Sequence, residues 1–127
     1  MRIFKTKPFA RFASKEGIAD AALVEAVRRA ERGMFDADLG GGVIKQRIAR
    51  RGQGKSGGFR SVVLFRAAYR AFFVYGFAKS ARSNIRNDEL AAFRKLAHEL
   101  LALDDAAIRA ALANQTIMEV TDHGEAL

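Results

Sequence analysis

The chain contains no cysteine. That excludes disulfides, thiolate zinc sites and cysteine nucleophiles. No apolar run approaches the ~18 residues that a membrane helix needs, so no membrane span is expected. The first residues, MRIFKTKPFARFASKEG, are basic but hold no apolar h-region. No secretory signal is expected there, and a cytoplasmic location fits. The only histidines, His98 and His123, lie far apart in sequence. Two isolated histidines make no metal cluster, and neither a metal nor a small-molecule cofactor is expected.

The most informative absence is local. Residues 45–86 carry 11 basic side chains and not one Asp or Glu. Residues 1–44 hold 8 basic and 6 acidic groups, and residues 87–127 hold 3 and 8. The net charge of +8 therefore comes from the middle third. That third is too apolar for a disordered basic tail. With 127 residues, half of them hydrophobic, the chain is expected to form a single domain with a real core. A folded, basic surface then faces a polyanionic partner.

The patterning gives the elements. Met1–Thr6 reads as an edge strand. Pro8 suits the first turn of a helix, with Phe9, Phe12 and Ala13 on one face and Gly17 as its stop. Asp20 opens a second helix carrying Leu23, Val27 and Ala30, ended by Gly33. Gly40–Gly42 is a turn or hinge. Val43–Ala49 alternates with period two, Ile44, Gln46 and Ile48 against Lys45 and Arg47. Phe59–Phe65 and Ala71–Ala78 are aromatic and β-branched, so three antiparallel strands in a meander are expected. Asn87 caps a helix from Asp88 to about Leu103 with a stripe of Leu90, Phe93, Leu96 and Leu100. Asp104 caps a shorter one near Asp105–Leu112, and Thr116–Val120 reads as a last strand. The expected class is α+β: a small antiparallel sheet with an N-terminal helix pair and C-terminal helices packed on one face. The other face, with Lys45 and Arg47 on it or at its rim, is expected to meet solvent.

Between the first two meander strands lies RRGQGKSGGFR, Arg50–Arg60. Its Gly54-Lys55-Ser56 resembles the tail of a nucleotide P-loop. The pattern G-x-x-x-x-G-K-[ST] needs a glycine at position 49, where this chain has Ala49. A P-loop also needs a helix after it, and FRSVVLF reads as a strand. A nucleotide site is therefore not expected. The loop keeps phosphate-binding chemistry all the same. Gly52, Gly54, Gly57 and Gly58 let backbone N–H groups approach an anion, and Arg50, Arg51 and Lys55 add charge. The alternative is a solvated hairpin loop.

KQRIARRGQGKSGGFRSVVLFRAAYRAFFVYGFAKSARSNI, residues 45–85, resembles the RelE/ParE superfamily of toxins from type II toxin–antitoxin pairs. The shared points are the basic strand, Ser-Gly-Gly-aromatic-Arg leading into the next strand, the hydrophobic hairpin and GFAKSARSNI at its end. It looks closest to the RelE-like or HigB-like branch, with residues 87–127 as a helical extension of the core. The resemblance implies a cognate antitoxin and metal-independent cleavage of mRNA, in many members on the ribosome. It places Arg60 as stabiliser of phosphate charge, with Lys79 and Arg82 as further catalytic candidates. Lys45, Arg47, Arg50, Arg51 and Lys55 would grip the RNA backbone.

The chain departs from RelE proper at two positions. Ser80 stands where that protein has a second arginine, and Arg86 where simple register puts its tyrosine. The general acid and base are thus unassigned. Tyr75, sharing strand parity with Phe73 and Phe77, reads as core; the alternative is that it faces the site, since Lys79 has the same parity. Tyr69 lies in the hairpin turn. His98 reads as a surface residue. Two other readings stand beside the nuclease: a ParE-like toxin that binds and inhibits DNA gyrase, and a nucleic-acid-binding module with no toxin role. Replacing Arg51 and Lys55 together by Ala is expected to weaken RNA binding and flatten its salt dependence, because fewer counterions are released. Binding titrations at several salt concentrations check this, and an unchanged slope counts against the loop.

Overall fold

Thr6 ends one element and starts the next. Its side chain accepts a hydrogen bond from the Phe9 N–H, and Pro8 occupies the first turn of the helix that follows. The computed structural model describes residues 1–50, 54–82 and 84–121. In chain order these form β1 (Arg2–Thr6), α1 (Lys7–Glu16), α2 (Asp20–Glu31), β2 (Ala37–Gly40), β3 (Val43–Arg50), β4 (Gly54–Arg66), β5 (Arg70–Ala78), α3 (Asn87–Leu100), α4 (Asp105–Ala113) and β6 (Ile117–Glu119). Gly17 stops α1 at φ 70°, a left-handed conformation that glycine adopts without a Cβ penalty.

The fold is α+β, built on a six-stranded sheet ordered β2-β3-β4-β5-β1-β6. β3, β4 and β5 form the expected antiparallel meander. The sheet as a whole is mixed, however, because β1 pairs with β5 in parallel. Nor is β1 an edge strand: β6 pairs with its other side. The reason lies in Ile3 and Phe4, neighbours pointing to opposite faces and both buried, each in a different core cluster. A strand apolar on both sides belongs inside a sheet covered on both faces.

Both faces are indeed covered, which corrects the one-sided packing expected from sequence. On the first face, Phe9 and Ala13 of α1 and Leu23, Val24 and Val27 of α2 meet Ile44, Ile48, Phe59, Val63 and Phe73. On the second, Ala97 of α3 and Ile108 of α4 are fully buried against Val43, Val62, Leu64 and Phe72. The α3 stripe Leu90, Phe93, Leu96 and Leu100 packs there but stays half-buried. The C-terminal segment therefore supplies the second layer, and β6 extends the sheet.

A β-bulge decides where the site falls. Val62 pairs with Tyr75 but Val63 pairs with Phe73, so β5 carries one extra residue. Beyond it the parity of β5 is reversed. Tyr75 and Phe77 join the second face, and Gly76 turns towards α1. A Cβ on Gly76 would lie 2.4 Å from Phe12 Cε2 and 3.0 Å from Phe9 Cε2. Gly76→Ala is therefore expected to destabilise the fold by ~1–3 kcal/mol through overpacking, measured by urea unfolding. An unchanged midpoint would contradict the close approach of α1.

Candidate functional site

β3 is anchored from below before it presents anything above. On the first face Gln46 is buried and donates to the carbonyls of Ala26 and Met34. Its own side-chain oxygen accepts from the Arg47 N–H. Arg29 of α2, also buried, donates to the Arg47 carbonyl at 2.7 Å and pairs with Glu25. Ser61 of β4 donates to the Gln46 carbonyl. Such satisfied buried bonds fix a strand in place, so side chains on its far face have defined positions.

The far face carries the cations. Arg47 of β3, Arg60 of β4 and Phe77 of β5 form one cross-strand row, and Lys45, Val62 and Tyr75 the next. Arg60 is buried, at 6% exposure, although it is charged. Its counterion is Asp36, in the segment before β2. Asp36 Oδ2 lies 3.4 Å from Arg60 Nε and 3.6 Å from Lys45 Nζ, and Oδ1 lies 3.3 Å from Arg47 Nε. Three cations share one carboxylate, which leaves a local excess of two positive charges. The Asp36 N–H donates to the Lys45 carbonyl at 2.9 Å, so the backbone holds the carboxylate beside them. Arg60 Nη1 is buried with no hydrogen-bond partner among the described residues. A bare, buried guanidinium nitrogen is costly unless something binds to it.

Next along the face stands a second cluster. Arg82 donates to Tyr75 Oη at 2.9 Å and to both carboxylate oxygens of Glu89, at 3.0 and 2.5 Å. Its guanidinium lies over the rings of Tyr75 and Phe77. Glu89 also accepts the Arg86 N–H at the start of α3. Arg82 first, then that N–H, hold the Glu89 carboxyl down at about 2. In return Glu89, then Tyr75, raise the Arg82 pKa. Tyr75 is half-buried against Phe93, which is where the first turns of α3 meet the sheet.

The sequence candidates divide accordingly. Lys45, Arg47 and Arg60 are brought together. Arg82 stands on the same face, but paired with Glu89. Lys79 is exposed in the turn after β5. Arg51 lies outside the described residues, as do the side chains of Arg50 and Lys55, whose backbones belong to β3 and β4. Gly54-Lys55-Ser56 was expected in the connecting loop but is strand backbone, because β4 begins at Gly54 and not at Phe59. Arg86 is an exposed ion-pair partner of Asp88. Tyr69 lies at the opposite end of the β4–β5 hairpin, beneath Arg66 and Arg70. His98 is exposed, and His123 lies outside the described residues. Among the described residues no three His, Asp or Glu side chains are grouped to hold a metal, and no helix is long and apolar enough to cross a membrane.

Sequence reasoning missed Asp36, which lies outside the basic block. Tyr75 does pack against a core cluster beside Phe77, but the bulge separates both from Phe73. The one sign of Asp36 was that it is among the last acids before a stretch that has none.

The Glu89 pair has a pH signature. The folded carboxyl sits near 2 against an ordinary 4.5, so the pair stabilises the fold above the ordinary value. That contribution is lost as pH falls from about 4.5 towards 2. Thermal melts of wild type and Glu89→Gln are expected to differ at pH 6 and to converge by about pH 2. A difference independent of pH would contradict the pairing.

Among curated proteins no sequence matches the chain. A family model does match, over residues 1–120: the RelE toxin of the RelE/RelB toxin–antitoxin system. That span takes in every strand and helix described above, the Asp36 cluster and the Arg82–Glu89 pair. The match covers nearly the whole chain, and the chain belongs to the RelE toxin family.

Proposed function

We propose that this toxin is an mRNA endoribonuclease, acting with the ribosome to block translation and silenced by its cognate antitoxin. The observation that carries the reading is the buried Arg60 guanidinium, its Nη1 without a partner among the described residues, inside a cluster of three cations and one carboxylate. Such a nitrogen suits an oxygen whose charge grows during reaction, where preorganised donors contribute most. In RNA cleavage the ribose 2′-OH attacks the adjacent phosphorus, the bond to the 5′-oxygen breaks, and a 2′,3′-cyclic phosphate remains. The nucleophile belongs to the substrate, so the protein must orient it, stabilise the phosphorane and move two protons.

In this reading Arg60 binds the non-bridging phosphate oxygen. Arg47 and Lys45 hold the flanking backbone, contacts that position without reading sequence. Tyr75, on the same face, protonates the leaving oxygen. Its hydroxyl oxygen accepts from Arg82, which leaves the hydroxyl proton free to be donated. Lys79, Arg50, Arg51 and Lys55 add positive charge for RNA. The acceptor of the 2′ proton is not assigned to a residue.

Induction of the wild-type protein is expected to arrest growth and to give in-frame cuts in cellular mRNA by primer extension. Arg60→Ala should abolish the arrest, reducing cleavage about 100-fold or more. Asp36 keeps Lys45 and Arg47 as partners in that variant, so the fold should survive. Tyr75→Phe should slow cleavage while leaving RNA affinity intact. Full toxicity in soluble Arg60→Ala would overturn the site. Intact mRNA with broken or tangled DNA would point instead to a toxin that binds gyrase.

A further inference from the structure

The carboxylate at the centre of the cations calls for explanation. An acid on a surface built for polyanions opposes binding unless it does something else. Three observations indicate what Asp36 does. Its closest approach to both Arg60 and Arg47 is through Nε, the inner edge of each guanidinium. Arg60 Nη1, on the outer part of the guanidinium, is buried and has no hydrogen-bond partner among the described residues. Asp36 is itself mostly buried, at 17% side-chain exposure, and its N–H is tied to the Lys45 carbonyl. It is held in place and is not poised to leave when an anion arrives. The cluster then keeps a net charge near +2, a surplus that attracts a phosphate anion.

We propose that Asp36 is the positioning residue of a preformed site for a single phosphate group, orienting Arg60 so that Nη1 meets a phosphate oxygen. The inference rests on the reading of this face as phosphate-binding, but not on RNA cleavage. A guanidinium on a flexible stem samples many rotamers, and each bond it makes costs ordering entropy. A carboxylate fixed at Nε removes that cost before the ligand binds, as preorganisation does elsewhere. The same carboxylate offsets the burial of the Arg60 charge in the free protein. Asp36 thus acts through Arg60 and makes no contact with the ligand.

The test uses purified full-length protein and inorganic phosphate, read by NMR at the Nε–Hε resonances of Arg60 and Arg47. In wild type, phosphate is expected to shift the Arg60 resonance saturably. Asp36→Asn keeps the shape and removes the charge. It should broaden the Arg60 signal and weaken phosphate binding about tenfold, the scale of a charge-assisted hydrogen bond. Asp36→Glu retains the charge but displaces it by about 1.5 Å, one C–C bond, and should fall between the two. If Asp36→Asn does not fold, judged by its melt, Asp36→Glu carries the test alone, with weaker binding expected. Equal or tighter phosphate binding in either folded variant would overturn the proposal, because the carboxylate would then merely oppose the anion. A wild-type Arg60 resonance indifferent to phosphate would overturn it as well. Wild-type protein that binds phosphate in this way yet leaves RNA intact would support the inference and end the nuclease reading.

Discussion

The cationic face is organised by one ion pair, Asp36 with Arg60. Arg60 lies on β4, a central strand of the sheet, and is almost wholly removed from water. An isolated charge there would cost several kcal/mol. Its nearby carboxylate is contributed by the segment entering β2, so the pair depends on β2 docking against β3. That docking depends in turn on Gln46 and Arg29, which tie β3 to α2 from beneath. A chain of hydrogen bonds and ion pairs thus runs from one helix, through the sheet, to the charge on its other side.

The two-layer covering explains where the face lies. α3 and α4 bury the second face over Val43, Val62, Leu64 and Phe72. Towards Tyr75 the apolar cover gives way to the Arg82–Glu89 pair, and the next row is Arg47, Arg60 and Phe77. Hydrophobic cover and cationic face are therefore successive rows of the same strands. The bulge between Phe73 and Tyr75 joins them, since it places Tyr75 and Phe77 beside the cations.

Much of this was legible in the sequence, and what was not has identifiable causes. The period-two alternation of Val43–Ala49 separates Lys45 and Arg47 from the residues that face α2, and the acid-free block marks the cationic strands. Those signals are local. The parallel pairing of β1 with β5 joins segments some seventy residues apart, and no local pattern states it. An amphipathic helix shows that one stripe is buried but not which face of the sheet receives it. The α3 stripe alone therefore fits either side of the sheet, and in the structure it packs on the face opposite the N-terminal pair. A bulge reverses parity without any compositional mark, which hid the separation of Tyr75 from Phe73. Asp36 was hidden because an ion-pair partner is defined by proximity in space, and it precedes the basic block in sequence.

The central claim is that this face meets RNA at a scissile phosphate and uses the neighbouring 2′-hydroxyl as nucleophile. The most direct measurement is end-group analysis of a ribosome-bound mRNA treated with the purified toxin, alongside the same mRNA with a single 2′-deoxynucleotide at the cut position. The account predicts a 2′,3′-cyclic phosphate on the upstream fragment and no cut at the deoxy position. Equal cleavage of both messages would contradict it.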